Sequence, residues 1–101
     1  MGVIKFSTQV GSHKLDVLTN DALQGTYYRD ESGKVSIVSV FAVNPGQGHF
    51  SAFLDALPRN ETVEFDNVVS RKVRGAVSRR GFVDRSGMDD WIRLASPESG
   101  E

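Results

Sequence analysis

The residues of this sequence best placed to do chemistry are Gly46-Gln47-Gly48-His49-Phe50. A glycine turn running into an apolar helical stripe leaves backbone N–H groups and a positive dipole end free at the helix start. An anion can rest there. An ordinary connection that binds nothing reads the same way, because short glycine motifs are weakly specific. His49, Tyr27 and Tyr28 have side chains able to carry a proton. His49 is also simply a helix N-terminal residue, and the two tyrosines are also simply sheet residues. A second cluster is basic. Arg71, Lys72, Arg74, Arg79, Arg80 and Arg85 supply half of the 12 lysines and arginines, so the rest of the chain is acidic on balance. A solvated helix face explains such a run, and so does an anionic partner. Nucleic acid is disfavoured as that partner, since the net charge of −1 is far from a basic balance.

Other chemistries are closed off by composition. There are no cysteines, and a zinc site built on the two histidines, His13 and His49, would need carboxylates at a spacing the sequence does not offer. With 101 residues, 39% hydrophobic and 25% charged, the expectation is one globular domain over residues 1–95 with a tail over 96–101. No apolar run approaches the roughly 18 residues of a membrane span, and Met1 to Val10 lacks a signal-peptide pattern. A soluble chain of the reducing cytoplasm is the reading.

The elements that position these residues centre on 35–57. Val35 to Val43 is nearly continuous apolar and β-branched sequence, which predicts a strand covered on both faces. Asn44-Pro45-Gly46 stops it. Phe50, Phe53, Leu54 and Leu57 then recur at i, i+3, i+4 and i+7, an amphipathic helix ended by Pro58. Upstream, Val3, Ile4 and Phe6 predict a first strand, Gly11-Ser12 a turn, and Leu15 to Leu18 a second strand. Thr19-Asn20-Asp21 breaks that strand, and Asn20-Asp21 is an alternative cap for one helical turn. Gln24 to Arg29 reads as a strand, and Asp30 to Lys34 as the hairpin turn that pairs it with 35–43.

Downstream, Thr62 to Val69 is the next strand, with Val63, Phe65 and Asn67 on one face. A right-handed crossover makes it parallel to 35–43. Ser70 caps a helix whose apolar side is Val69, Val73, Ala76 and Val77, and Gly81 supplies its C-cap. Phe82-Val83 and Trp91 to Leu94 close the order as two short strands, with Trp91 in sheet packing. The fold class is α/β (α+β): a mixed sheet with an antiparallel N-terminal hairpin and one parallel βαβ crossover.

Residues 24–94 in this order resemble the GNAT superfamily of acetyl-CoA-dependent N-acyltransferases. The likeness is strongest over 35–57 and 68–82. Gly46 to Leu54 is similar to that family's Gln/Arg-x-x-Gly-x-Gly/Ala loop, with Gly48 in the place of the first motif glycine. Ser70 to Phe82 is similar to its helix closed by Gly-Phe. Pro45 stands in the Gln/Arg place and Phe50 in the last small-residue place. Val77 replaces the tyrosine that often acts as general acid. No glutamate lies on the central strand, and the two front helices are reduced or absent.

The resemblance implies that Gly46, Gln47, Gly48, His49 and Phe50 hold a cofactor diphosphate, while Phe41, Ala42 and Val43 offer backbone to the pantetheine and thioester. It also implies that Arg71, Lys72 and Arg74 approach the 3′-phosphate of coenzyme A. The implied mechanism is direct attack by an amine, with a backbone donor on the oxyanion. Two functions follow as expectations: a minimal N-acyltransferase using acetyl-CoA, or a GNAT-like interaction protein without catalysis, acting on a protein partner. A compact form of this kind suits a phage or prophage accessory protein.

Overall fold

Asp30 reverses the chain at its first hairpin: its carboxylate accepts the N–H of Ser32 at 2.9 Å and of Lys34 at 3.0 Å. These hydrogen bonds, led by the Ser32 hydroxyl, hold the Asp30 carboxyl below its ordinary pKa. The computed structural model describes residues 4–15, 23–44, 46–66, 68 and 70–96. The hairpin joins β2 (Leu23–Arg29) to β3 (Val35–Ala42), antiparallel as expected. Four further strands complete one mixed sheet: β1 (Gly11–Lys14), β4 (Val63–Phe65), β5 (Val83–Asp84) and β6 (Trp91–Arg93). Their spatial order is β1-β2-β3-β4-β6-β5. Only the β3–β4 pair is parallel, and the crossover between these strands carries α1 (His49–Ala56). Helix α2 (Arg71–Ser78) connects β4 to β5.

One core holds these pieces together. Phe53, Leu54 and Leu57 from the α1 segment and Ala76 and Val77 from α2 join Tyr27, Ile37, Val63 and Phe65 of the sheet in a single buried cluster. Phe65 is its hub, with edge-on ring contacts to Phe50 at 6.4 Å and Phe82 at 5.2 Å. Both helices therefore lie on the face of the sheet that carries Phe65. Buried Arg29 fastens three loops to this frame. Its Nε donates to Ser7 O at 2.6 Å, one terminal nitrogen donates to Gly33 O at 2.7 Å, and both terminal nitrogens donate to Glu61 at 3.0 Å. A bidentate pair of this geometry compensates the loss of guanidinium hydration on burial.

Several sequence expectations need correcting. The strand over 35–43 is covered on one face only: Val38 and Phe41 are 55% and 56% exposed, because no described element packs on that side. Residues 4–6 are not a strand, although Phe6 is buried against Tyr27 with ring centroids 4.8 Å apart. The first strand is instead Gly11–Lys14, where a turn was expected. Its polar residues pair with the free edge of β2, Gly11 with Arg29 through Lys14 with Thr26. Leu15 is buried but outside the strand, and the rest of the Leu15 to Leu18 expectation lies outside the described residues, as do the Thr19 to Asp21 break, Val3, Pro45, Asn67 and Val69. The strand expected over 62–69 is only three residues long. Ser96 N–H donates to Arg59 O at 2.8 Å, and the rest of the expected tail, residues 97–101, lies outside the described residues. None of the described helices is long and apolar enough to cross a membrane.

Candidate functional site

The site grows out of a fork in the sheet. β3 pairs with β4 only from Val35↔Val63 to Ile37↔Phe65. One more link follows, from Asp66 N–H to Ile37 O at 3.2 Å. Just beyond, the β2–β3 register slips: Thr26 faces Ser39 and Tyr27 faces Ile37, so Val38 is an extra residue on β3. A bulge bends its strand and ends the local ladder. Among the described residues, β3 from Val38 onward is paired with β2 alone.

A cleft of about 540 Å³ opens on the helix side of this fork. Val40, Phe41 and Ala42 form one wall, and Gly46, Gly48, His49, Phe50 and Ser51 form the second. Helix α2 supplies the third through Ser70, Lys72, Val73, Ala76 and Arg79. Open crevices beyond the carboxyl ends of parallel strands are where α/β sheets accept ligands.

Gly48 is the N-cap of α1, in the left-handed region at φ 77°, and no side chain caps this end. A Cβ there would meet nothing within 4 Å, so the glycine answers the backbone angle and leaves its outer face open. The first helical hydrogen bond runs from Ala52 N–H to Gly48 O at 3.0 Å. Among the described residues, the N–H groups of His49, Phe50 and Ser51 therefore have no acceptor. The start of α2 differs, because Ser70 Oγ accepts from Val73 N–H at 3.4 Å, as expected of its cap. Phe50 is partly buried, lies against Phe53 with ring centroids 6.3 Å apart, and lines the cleft.

Of the residues expected to form the site, Phe41, Ala42, Gly46, Gly48, His49 and Phe50 come together here. Val43, Gln47 and Arg71 are exposed and do not line the cleft. The basic cluster is divided by its partners. Arg74 reaches Asp89 Oδ1 at 3.3 Å, and Arg80 donates to Asp55 Oδ1 at 2.8 Å, which holds the Asp55 carboxyl below its usual range. Lys72 and Arg79 face the cleft, and neither pairs with a carboxylate among the described residues. Arg79 was legible only as part of a charge run, since the sequence does not reveal which cations find partners. His49 is the one proton carrier of the three that reaches the cleft. Tyr27 is buried with its hydroxyl accepting from Ser7 N–H at 3.0 Å, and Tyr28 faces the uncovered side of the sheet.

A carboxylate group that sequence reading missed stands on that uncovered side. Glu64, Asp66 and Asp90 bring one oxygen each within 4.8 Å of one another. Lys34 Nζ holds Glu64 at 2.7 Å. Burial first, then the charges of Glu64 and Asp90, push the Asp66 carboxyl above its ordinary value. Ionised Asp66 thus weakens the fold. Its penalty is absent below the unfolded pKa near 3.8 and grows as pH rises through the folded value. Asp66→Asn is expected to raise the melting temperature at pH 7, with the gain shrinking toward zero as the pH falls below 4. A gain of equal size at pH 3 would show that packing, not charge, is responsible.

No family model, curated protein or solved structure matches the chain.

Proposed function

We propose that the cleft binds a coenzyme A thioester and that the chain is a minimal GNAT-like N-acyltransferase acting on an amine. The observation that carries this reading is the fork. A parallel strand pair separates beside a helix whose first-turn N–H groups have no acceptor among the described residues, and Lys72 and Arg79 on the next helix pair with no carboxylate among them. The residues fit such a ligand. Backbone donors and Lys72 suit a diphosphate, while Val40, Ala42 and Val73 offer an apolar wall to a pantetheine arm. The strand order, with one parallel pair flanked by antiparallel ones, is compatible with the same reading.

In the reaction a thioester supplies an activated acyl carbon. An attacking amine forms the C–N bond as the C–S bond breaks, one proton leaves the nitrogen, and the thiolate gains one. On the uncovered side of the sheet, Asp66 stands one residue beyond the last β3–β4 pair, with its affinity for protons raised. It does not line the cleft, whereas His49 does, and His49 is the side chain placed there to take the proton from the amine. Val77, an aliphatic and fully buried side chain, stands in the family's tyrosine position and has no proton to give. That absence favours the second reading, a coenzyme-binding or interaction protein without catalysis.

Calorimetric titration with acetyl-CoA separates these outcomes. Binding with acyl transfer to amines supports the enzyme, and binding without transfer supports the second reading. No heat at millimolar ligand contradicts both forms of the cofactor reading. Gly48→Val is expected to weaken binding at least about tenfold, because a β-branched residue resists φ 77° and its side chain would enter the open face. An unchanged affinity in a folded variant would remove the loop from the site.

A further inference from the structure

We infer that Arg93 and Arg59 form an anion site at the end of the core away from the cleft, where Nη2 of Arg93 donates to a carboxylate or phosphate oxygen. The inference is independent of the cofactor reading. It rests on a buried charge that has no counter-charge.

Two charged side chains are buried among the described residues, Arg29 at 7% exposure and Arg93 at 8%. Their surroundings differ. Arg29 meets both oxygens of Glu61 and two backbone carbonyls. Arg93 has one long hydrogen bond, from Nη1 to Arg80 O at 3.4 Å, and its Nη2 is shielded from solvent with no acceptor among the described residues. Its Cζ lies 4.9 Å from the centroid of the Phe82 ring. That contact uses the face of the guanidinium and leaves its edge to hydrogen bonding. The charge that acts on Arg93 is another cation: burial first, and then Arg59, push its pKa below the ordinary value. Neither arginine pairs with a carboxylate among the described residues, where Asp55 is held by Arg80 and Glu61 by Arg29. A guanidinium out of water needs an anion to compensate its lost hydration. An anion shared by two neighbouring cations also replaces their repulsion with two attractions.

The place is distinct from the cleft. Arg93 pairs with Val63, the first residue of β4, whereas the cleft opens beyond Ile37 and Phe65 at the other end of the β3–β4 pair. Arg59 is exposed and can change rotamer within nanoseconds, so an anion can reach the guanidinium beside it. Two sources offer such a group. One is the chain itself: Ser96 N–H donates to Arg59 O, and Glu98 and Glu101 follow Ser96 in the sequence. The other is a separate small anion.

The experiment follows the arginine side-chain N–H signals of the isotopically labelled whole chain while inorganic phosphate is added at constant ionic strength. It is run on the wild type and on a double variant, Glu98→Gln with Glu101→Gln, each with and without Arg59→Gln. Arg59 is exposed, so its substitution leaves folding intact. A separate anion as occupant predicts a saturable shift of the Arg93 signal in the wild type and the same shift in the double variant. The chain's own glutamates as occupant predict a wild type that does not respond and a double variant that does. In whichever protein responds, Arg59→Gln should weaken phosphate binding at least about tenfold, the usual worth of a charge-assisted contact. No saturable shift in either protein at tens of millimolar phosphate overturns the site. An equal drift at the exposed Arg71 and Arg85 is a general ionic effect and overturns it too, as does an affinity that Arg59→Gln leaves unchanged.

Discussion

Gly25→Ala is expected to unfold the chain. Gly25 lies in β2 opposite Val40, beside the bulge, where the two strands approach more closely than any side chain allows. A Cβ on residue 25 would overlap Ser39 O and stand 2.7 Å from Ser39 C and 2.9 Å from Val40 Cα. These are backbone atoms, so no rotamer change relieves the clash. Either β2 or β3 must move away, and β3 is the strand that joins the antiparallel and parallel parts of the sheet. Overpacking in cores typically costs about 1–3 kcal/mol, and a clash with backbone belongs at or above the top of that range. A domain with roughly 5–15 kcal/mol of total stability loses a large part of it. Denaturant titration of the variant should show a midpoint far below the wild type, or no folded baseline. A midpoint within experimental error would mean that the strands pair in another register and that the bulge at Val38 is misplaced.

Phe53→Ala should cost about 3–5 kcal/mol. Phe53 is 3% exposed and, with Leu54, anchors α1 to the sheet. Truncation leaves a cavity under the helix that presents Gly48 and His49 to the cleft. Ser51→Ala, on the exposed side of the same helix, should change stability by less than about 0.5 kcal/mol. A soluble Phe53→Ala protein with an unaltered melting temperature would show that this face of α1 meets solvent.

The helix and hairpin were legible because their signals are local. The i, i+3, i+4, i+7 stripe over Phe50 to Leu57 became α1, and Asp30 to Lys34 became the turn between β2 and β3. Ser70 was readable as a cap by its residue type, whereas the expected C-cap Gly81 has the left-handed backbone, φ 89°, but lies two residues past the actual C-cap, Arg79. Burial was less legible. Val35 to Val43 is apolar enough for a strand covered on both faces, yet composition does not reveal whether a second layer exists, and Val38 and Phe41 stay exposed. β1 was missed because Gly-Ser-His-Lys carries no hydrophobic alternation; an edge strand is recruited by its neighbour's unpaired backbone, which leaves no mark on residue type. The cleft was half legible. Its loop announced itself through glycine spacing, whereas the choice of Lys72 and Arg79 over Arg71 and Arg74 depends on distant carboxylates. The grouping of Asp66 with Asp90 depends on β4 pairing with β6.

The most direct test of the cofactor reading is the amide spectrum of the isotopically labelled chain during titration with acetyl-CoA. Shift changes are expected to concentrate at Gly46 to Ser51, with a second group at Val40 to Ala42 and at Lys72, Val73 and Arg79, all of which line the cleft except Gln47. Saturable changes confined to these segments are the predicted result. No change at millimolar ligand, or changes centred on the uncovered face at Tyr28, Val38 and Ile92, would contradict it.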